Sequence, residues 1–391
     1  MAALGHQRPL TAIIAQRLLS GAKRPFKLML IWKNDRPLTA NCVRSTIRND
    51  NLAVDPIRLR TEKRMKAITY SNYGPPDVLQ LMDVEKPVPK DDEVLIRIMA
   101  AEATKTDCEM RSFKFAVMWF WLPLRIAFGV RKPKRQILGG YFSGEVESLG
   151  KDVTEFSAGD PVFGAAGLRL GAYGEYVALP ESYAIVAKPA NMSFAEAAAV
   201  PLGGLNALHF MRLAGIRPGD KVLINGAGGS IGAHGVQIAK SMGAQVTAVD
   251  SAIKESMLMR MGAKHFIDYT KENFAEKGRT YDVIFDMVAG SSYPACIKIL
   301  NPNGRYLSGN PRLSVMIRSV LTTRFTNKTA LFAFADETKA DLLTLKEMIE
   351  AGTINSIVDR TYPMDQAADA HRRVETEQRV GAVVIAIGER N

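Results

Sequence analysis

The sequence predicts an α/β protein in which an antiparallel, partly open β-barrel precedes a doubly wound parallel sheet. Three observations lead to this prediction. Short strand-like segments separated by Gly, Pro and Asp run from Lys66 to Lys188, as is typical of an antiparallel barrel. The pattern changes to helix at Ser193. Beyond Lys221, strands alternate with helices, which favours right-handed crossovers and a parallel sheet.

The chain is organised around the segment from Lys221 to Gly232, KVLINGAGGSIG. Its apolar start predicts a buried strand, and Gly226, Gly229 and Gly232 predict a tight turn into a helix. Glycines let backbone N–H groups approach a ligand, and a helix N-terminus offers unpaired amides and partial positive charge. The motif therefore predicts an anion site, with a pyrophosphate as the best candidate, although an ordinary strand-to-helix connection shares this pattern.

The residues after this glycine loop favour a dinucleotide site. A predicted helix from Ile231 to Met242 ends at Gly243, and the strand QVTAV then ends at Asp250, twenty-four residues beyond Gly226. A dinucleotide-binding fold needs an acid for the ribose hydroxyls at a separation of about 20 residues. The sequence therefore predicts a Rossmann fold.

Further elements follow in alternation. The later strands are expected at HFIDY, YDVIFDMV and GRYLS, and the later helices at 253–261, 292–300, 338–351 and DQAADAHRRVETEQ. The final strand, GAVVIAI, is expected to return to the first domain.

Length and composition suit two domains. The chain has 391 residues, 47% of them hydrophobic, against about 150 residues for a typical domain. No run approaches the roughly 18 apolar residues of a membrane-spanning helix. We predict a basic, disordered N-terminal extension at 1–64, a barrel domain at 65–188, a dinucleotide-binding domain at 189–325 and a C-terminal return to the barrel at 326–391.

The net charge of +11 is concentrated in the extension. Residues 1–64 carry thirteen Lys or Arg and four acids, whereas the remainder carries thirty-eight and thirty-six. The body is therefore nearly neutral, and we expect no nucleic-acid partner. The extension has traits of a mitochondrial transit peptide, but we favour an extension without function, with Met65 as a natural alternative start. We expect a cytoplasmic protein, or a mitochondrial one if 1–64 is a transit peptide.

The cysteines and histidines indicate neither disulfides nor a metal. Cys42, Cys108 and Cys296 are scattered and odd in number, which fits a reducing compartment. The spacings H-x-x-H, H-E-x-x-H and C-x-x-C are all missing, so the sequence predicts no local metal site.

Several blocks occur in the order of a known family: VLINGAGGSIG, MGAKHFIDYTKENF, YDVIFDMVAG, LNPNGRYLS and IEAGTINSIVDRTYPMDQAADAHRRVE. From Met65 to Gly388 the sequence resembles the medium-chain dehydrogenase/reductase superfamily, specifically its zinc-lacking quinone oxidoreductase-like branch. The resemblance implies a GroES-like, partly open catalytic barrel beside the Rossmann domain. It also implies a homo-oligomer, since the family is mostly dimeric or tetrameric.

The resemblance implies chemistry without zinc. Zinc-containing relatives carry ligands where this sequence has Thr104, Gly140 and Tyr141. Alcohol oxidation loses its usual activation without a Lewis acid, whereas a hydride can add to an electron-poor conjugated acceptor that is held in position. The matching branch reduces quinones and α,β-unsaturated ketones with NAD(P)H, so we expect a small quinone or unsaturated carbonyl compound as substrate.

Other functions stay open. The chain can be a nucleotide-binding, redox-sensing or membrane-associated protein with little catalysis, or an alcohol or aldehyde oxidoreductase. No catalytic acid is inferred. Thr104, Asp107 and Tyr141 are the candidates for the substrate pocket, although a buried structural carboxylate is the commoner role for a residue such as Asp107.

The cofactor is expected on the glycine loop, at Gly226, Ala227, Gly228, Gly229, Ser230, Ile231 and Gly232. Asp250 favours NADH, because a carboxylate accepts from the ribose hydroxyls and repels a 2′-phosphate. Ser251 and Lys254 stand where NADPH-using relatives bind that phosphate, so both cofactors stay open. Tyr269 matches a tyrosine that contacts the cofactor in similar enzymes or is a packing aromatic, and Asn206 stands near the expected nicotinamide.

The segment from Ser112 to Gln136, SFKFAVMWFWLPLRIAFGVRKPKRQ, combines aromatic residues with a basic end. We call it the aromatic segment. A helix packed on the barrel or a lid over an apolar substrate is favoured. Contact with a membrane surface is the less favoured alternative, because aromatic residues beside Lys and Arg also suit that surface.

Overall fold

The structure is a computed structural model. It describes residues 63–115, 121–276, 278–309, 312–333 and 335–388. The predicted extension, apart from its last two residues, lies outside these ranges, and so does 116–120 of the aromatic segment. Within the described ranges, no helix is long and apolar enough to cross a membrane.

The described ranges contain fifteen strands and ten α-helices. The strands are β1 (Arg64–Thr69), β2 (Gln80–Glu85), β3 (Glu93–Ala103), β4 (Tyr141–Leu149), β5 (Pro161–Ala165), β6 (Tyr176–Pro180), β7 (Ile185–Ala187), β8 (Lys221–Asn225), β9 (Gln245–Asp250), β10 (His265–Asp268), β11 (Tyr281–Asp286), β12 (Leu300–Ser308), β13 (Thr329–Phe332), β14 (Val358–Pro363) and β15 (Ala382–Ala386). The helices are α1 (Lys105–Ser112), α2 (Trp121–Phe128), α3 (Phe194–Ala198), α4 (Pro201–Ala214), α5 (Ser230–Ser241), α6 (Glu255–Met261), α7 (Tyr293–Lys298), α8 (Leu313–Phe325), α9 (Lys339–Glu350) and α10 (Ala367–Glu375).

Six strands form a parallel sheet in the order β10-β9-β8-β11-β12-β13. Numbered along the chain, this is the Rossmann order 3-2-1-4-5-6. The central strands β8 and β9 are short, apolar and almost wholly buried, as parallel strands covered by helices must be. The order reverses between β8 and β11, so a ligand crevice is expected beyond Asn225 and Asp286, which pair in register. The predicted α/β fold with a doubly wound sheet is confirmed.

A second sheet carries the mainly antiparallel half of the fold. Its strands follow the path β14-β15-β3-β4-β5-β7, with β6 also paired to β3, while β1 and β2 form a separate ribbon. Only the pair β14–β15 in this sheet is parallel among the described strands. The described strands do not close the path between β14 and β7, so the barrel is open.

The final strand returns to the first domain, as expected. β15 pairs antiparallel with β3, with Val383 opposite Ala103. Two elements that precede this return in the chain still belong to the Rossmann half. Strand β13 is the outer strand of the parallel sheet. Helix α9 packs on α4, where Leu345 lies 2.8 Å from a Cβ built at Gly204. The division into 189–325 and 326–391 stays a prediction.

Local sequence sets three of the helix ends. Helix α1 begins at a capping box, in which Thr104 and Asp107 each accept a hydrogen bond from the other's backbone amide. Ser193 begins α3 in the same way. Helix α4 ends at Gly215, whose φ of 57° lies in the left-handed region that glycine adopts most easily.

Candidate active site

The glycine loop joins β8 to α5 at the crevice of the parallel sheet. The amides of Gly226 and Ala227 both donate to Val249 O at 3.1 Å, which ties the loop to β9. A Cβ at Gly232 would lie 2.3 Å from Gly226 O, so only glycine fits where α5 passes the start of the loop. Gly229 precedes α5 and has no side chain with which to cap it. The first turn of α5 is therefore suited to an anion.

Asp250 and Lys254 form a buried ion pair beside this loop. Oδ1 of Asp250 accepts from Ser251 N at 2.8 Å and lies 3.0 Å from Lys254 Nζ, while Oδ2 accepts from Gly228 N at 2.7 Å. Both side chains are 7% exposed. A Cβ at Gly228 would lie 2.2 Å from Lys254 Cδ, so the lysine stem lies against the loop. Of the three residues on which cofactor choice was predicted to depend, Asp250 and Lys254 are thus an ion pair without net charge, and Ser251 donates its amide to the same carboxylate.

The remaining cofactor candidates lie in different places. Tyr269 follows β10, is 61% exposed, and donates its amide to Asp250 O at 3.3 Å. Asn206 lies in α4, where Nδ2 donates to Leu202 O at 2.9 Å within the same helix. The structure therefore brings Tyr269 and Lys254 together around Asp250, while the amide of Asn206 is engaged elsewhere.

Thr104 and Asp107 form one hydrogen-bonded unit on the antiparallel side. Thr104 Oγ1 donates to Asp107 Oδ2 at 2.6 Å, and the Thr104 amide donates to the same oxygen at 3.0 Å. Asp107 Oδ1 accepts from Gly139 N at 3.0 Å. Burial raises the pKa of Asp107, although these hydrogen bonds act in the opposite direction. Asp107 therefore has the contacts of a structural carboxylate that fixes Thr104.

Tyr141 begins β4 and is engaged by a second acid. Its hydroxyl donates to Glu337 Oε1 at 2.6 Å. Burial, followed by the charge of Glu337, raises the pKa of Tyr141 well above its usual value. Tyr141 is therefore a neutral phenol whose proton is directed at Glu337.

A buried network behind Asp107 was missed by sequence reasoning. Arg111 Nη1 lies 3.2 Å from His371 Nδ1, and a guanidinium can only donate, so Nδ1 accepts and Nε2 carries the proton. His371 Nε2 lies 3.0 Å from Tyr173 OH, and Tyr173 is near enough to Asp107 for each to shift the pKa of the other. Burial lowers the pKa of His371 to about 3, so the ring is neutral. Because Tyr173 and His371 are 198 positions apart, no local pattern connects them.

Asp286, at the end of β11, was also missed. It accepts from Asn225 Nδ2 at 3.0 Å, from Val288 N at 3.1 Å and from Tyr306 OH at 2.9 Å. Burial raises its pKa. The sequence did contain a signal for Asp286. This aspartate lies near the end of the predicted strand YDVIFDMV and therefore stands at the carboxyl edge of the sheet, where ligands of parallel sheets bind.

The aromatic segment is described only in part. In α2, the Arg125 guanidinium lies 4.2 Å from the ring centre of Phe113 and 5.6 Å from that of Trp121. Leu122 and Ile126 on the same helix are 60% and 62% exposed. One side of α2 therefore packs against Phe113. A lid over the substrate or a contact with a membrane surface stays a prediction and would use the exposed side of the helix.

The residues present fit a nicotinamide dinucleotide. Glycine at 232 lets α5 pack closely on the start of the loop, where a Cβ would lie 2.3 Å from Gly226 O, and Ser230 Oγ at the start of α5 is buried without a partner among the described residues. The described residues contain no cluster of three His, Cys, Asp or Glu side chains placed to hold a metal.

Comparison with known proteins identifies the family. The family model described as alcohol dehydrogenase GroES-like domain matches residues 90–190, and the one described as zinc-binding dehydrogenase matches 261–385. The 2-methylene-furan-3-one reductase of Solanum lycopersicum is 31% identical over 334 residues, covering 82% of this chain and 79% of the relative. The NADPH-dependent alkenal/one oxidoreductase, chloroplastic, of Arabidopsis thaliana is 30% identical over 337 residues, covering 83% and 80%.

A solved structure agrees with these relatives. The quinone oxidoreductase from Coxiella burnetii matches with a TM-score of 0.74 and 28% identity, over 83% of this chain and all of that one. The match agrees with the Rossmann strand order and the open GroES-like sheet described above. The chain therefore belongs to the medium-chain dehydrogenase/reductase family, in its quinone oxidoreductase-like branch.

Proposed function

We propose that the protein is a zinc-independent, NAD(P)H-dependent oxidoreductase that transfers a hydride to a quinone or an α,β-unsaturated carbonyl compound. The observation that carries this proposal is the glycine loop at the reversal point of the Rossmann sheet, with the close approach that Gly232 permits. Relatives named as an alkenal/one oxidoreductase, a furanone reductase and quinone oxidoreductases support the substrate class.

The pyrophosphate is proposed to lie on the glycine loop, where it meets the amides of α5. A bound nicotinamide supplies the hydride. The loop residues proposed to bind it are Gly226, Ala227, Gly228, Gly229, Ser230, Ile231 and Gly232. Asn206 and Tyr269 are proposed as outer contacts, and Asn206 keeps its Oδ1 and a second N–H for this role while it donates to Leu202 O.

We favour NADPH over NADH. Asp250 already accepts from Gly228 N, Ser251 N and Lys254 Nζ, so little acceptor capacity is left for ribose hydroxyls. Lys254 has three ammonium protons and neutralises the carboxylate that would repel a 2′-phosphate. The NADPH dependence in the name of the Arabidopsis relative supports the same choice.

The substrate is proposed to bind beside Thr104 and Tyr141, on the antiparallel side of the crevice. Asp107 acts there as a positioning residue, because it holds the Thr104 hydroxyl at 2.6 Å. Glu337 holds Tyr141 in the same manner. Positioning of this kind is the main contribution that a protein makes to hydride transfer.

Turnover with a panel of acceptors tests the proposed function. NADPH oxidation is followed spectrophotometrically with quinones, enones and aldehydes, and cofactor reduction is followed with alcohols. We expect turnover with quinones or enones and much less with aldehydes or alcohols. Tight NADPH binding with no turnover of any acceptor would overturn the proposal and favour a nucleotide-binding sensor.

A homo-oligomer remains part of the proposal. Helix α8 exposes an apolar face, with Ile317 57%, Val320 53% and Phe325 76% exposed, beside β13, the edge strand of the parallel sheet. A second copy of the chain would bury this face. Light scattering of the wild type and of Ile317→Glu tests it, and a monomeric wild type would contradict it. A cytoplasmic location likewise stays a proposal.

A further inference from the structure

Glu102 is a buried acid where the antiparallel sheet meets the glycine loop. It lies near the end of β3, opposite Val384 of β15, and is 2% exposed. Its Oε2 has no hydrogen-bond partner among the described residues. Burying a polar atom without a hydrogen-bond partner costs free energy, and a bound ligand that pairs with it would remove this cost.

The group that faces Glu102 belongs to the loop. Ser230, the first residue of α5, is near enough to lower the pKa of Glu102, yet the two side chains do not meet the geometry of an ordinary hydrogen bond. The Ser230 side chain is confined from the far side by α4, since a Cβ at Gly203 would lie 2.6 Å from Ser230 Oγ. Two unpaired polar atoms from the two halves of the fold therefore lie at the start of α5.

The surrounding groups decide the charge of Glu102. Burial is the largest influence and raises its pKa to about 8, against smaller lowering by Ser230 and Arg379 and a further rise from Asp107. The neutral phenols of Tyr141 and Tyr173 are also near. His234 of α5, whose Nδ1 lies 2.8 Å from Ser230 O, has its pKa lowered by burial. At neutral pH Glu102 is thus mainly the uncharged acid.

This location matters for an anion. A carboxylate there would repel a pyrophosphate bound at the start of α5, whereas a neutral acid has one O–H to donate to a phosphate oxygen. We propose that Glu102, as the neutral acid, is part of the cofactor site and donates a hydrogen bond to the pyrophosphate beside Ser230. This inference rests on the proposed function, because it takes the glycine loop as the pyrophosphate site.

A proton is therefore linked to cofactor binding. Above the pKa of about 8, Glu102 must take up a proton when the pyrophosphate arrives. Affinity falls as the pH rises, by up to about tenfold for each pH unit in that range. NADPH and NADH share the pyrophosphate, so both show the same slope, and the pair Asp250–Lys254 cannot account for it.

Binding measurements test the proposal on the full chain. The Kd values for NADPH and NADH are measured by fluorescence titration from pH 6.5 to 9.5 for the wild type, Glu102→Gln and Glu145→Gln. The glutamine at 102 still donates a hydrogen bond, so we expect Kd within about threefold of the wild type at pH 7 and no fall in affinity above pH 8. Glu145, a partly exposed residue of β4, is the matched control and should keep the wild-type slope.

A second measurement needs no variant. Calorimetric titration of the wild type in two buffers of different ionisation enthalpy gives the protons taken up on binding, which should rise from near zero at pH 6.5 toward one at pH 9.5. A pH-independent Kd, or equal slopes for the wild type and Glu102→Gln, would overturn the role of Glu102 and leave the reductase proposal intact. Binding with the expected slope but no turnover would overturn the reductase proposal alone. Failure to bind either cofactor would overturn both.

Discussion

The two sides of the active-site crevice differ in the groups that form them, which are backbone groups on one side and side chains on the other. On the Rossmann side the site is a backbone cradle: the amides of the glycine loop, held by close packing at Gly228 and Gly232, where a Cβ would collide with Lys254 or with the loop backbone. On the antiparallel side it is a relay of buried side chains, in which His371 lies 3.0 Å from Tyr173 OH and Tyr173 lies near Asp107. A single Cβ added at a glycine of the loop is enough to displace the backbone and disrupt the whole cradle. A side-chain network loses stability in steps, because each deletion leaves one buried partner unsatisfied.

The largest effect is expected at the cradle. In Gly232→Ala the new Cβ would lie 2.3 Å from Gly226 O and 2.7 Å from Ala227 Cα, both backbone atoms that a flexible side chain cannot replace. We expect NADPH binding to weaken by at least about 100-fold, since opening the loop removes several amide contacts together. Fluorescence titration measures it. Gly290→Ala is the matched control, because nothing lies within 4 Å of its Cβ. Binding within threefold of the wild type in Gly232→Ala would refute the backbone interpretation.

A smaller effect is expected in the side-chain relay. Tyr173→Phe removes the hydroxyl that lies 3.0 Å from His371 Nε2 and near Asp107. Leaving buried groups unsatisfied lowers the free energy of unfolding by about 1–3 kcal/mol. Urea denaturation measures this loss. Tyr269→Phe, at a position that is 61% exposed, should leave the midpoint unchanged. Equal midpoints for the two variants would show that the relay does not stabilise the sheet.

The smallest effect is expected on cofactor binding when Lys254, which lies against the glycine loop, is replaced. Lys254→Ala removes the ammonium 3.0 Å from Asp250 and exposes a 2′-phosphate to the uncompensated carboxylate. We expect the Kd of NADPH to rise by about tenfold more than that of NADH. Lys271→Ala, which breaks an exposed pair with Asp268, is the control. An unchanged ratio of the two Kd values would remove Lys254 from the cofactor site.

The glycine loop and its neighbouring strands could be predicted from the sequence, whereas the side-chain relay could not. The glycine spacing, β8, α5, β9 and Asp250 are contiguous, so strand, turn and helix could be predicted from local pattern. The pairing of Asp250 with Lys254 was not foreseen, although the two are four positions apart, because the ribose roles were considered for each residue separately. The short strand β13 was missed for want of any periodicity in TALF.

The long-range contacts carried no local signal. His371 and Tyr173 are 198 positions apart, and Glu102 lies near Ser230 because the antiparallel sheet packs beside the glycine loop. Such pairs follow from the packing of whole sheets. Thr104 and Asp107 were named separately as pocket candidates, and the capping box that joins them was not predicted although its fixed spacing of three was visible in the sequence.

The pairing of β15 with β3 bears on how the chain folds as it is made. Ala103 leaves the ribosome about 280 residues before its partner Val383. At about 5–20 residues per second, the end of β3 at 100–103 waits roughly 15–60 s with one edge uncovered, since β6 covers that edge only at 93–97. An unpaired edge of apolar strand is a template for aggregation. Nascent chains of this protein should therefore depend on chaperone protection late into synthesis, even though the Rossmann sheet between the two strands can form on its own schedule.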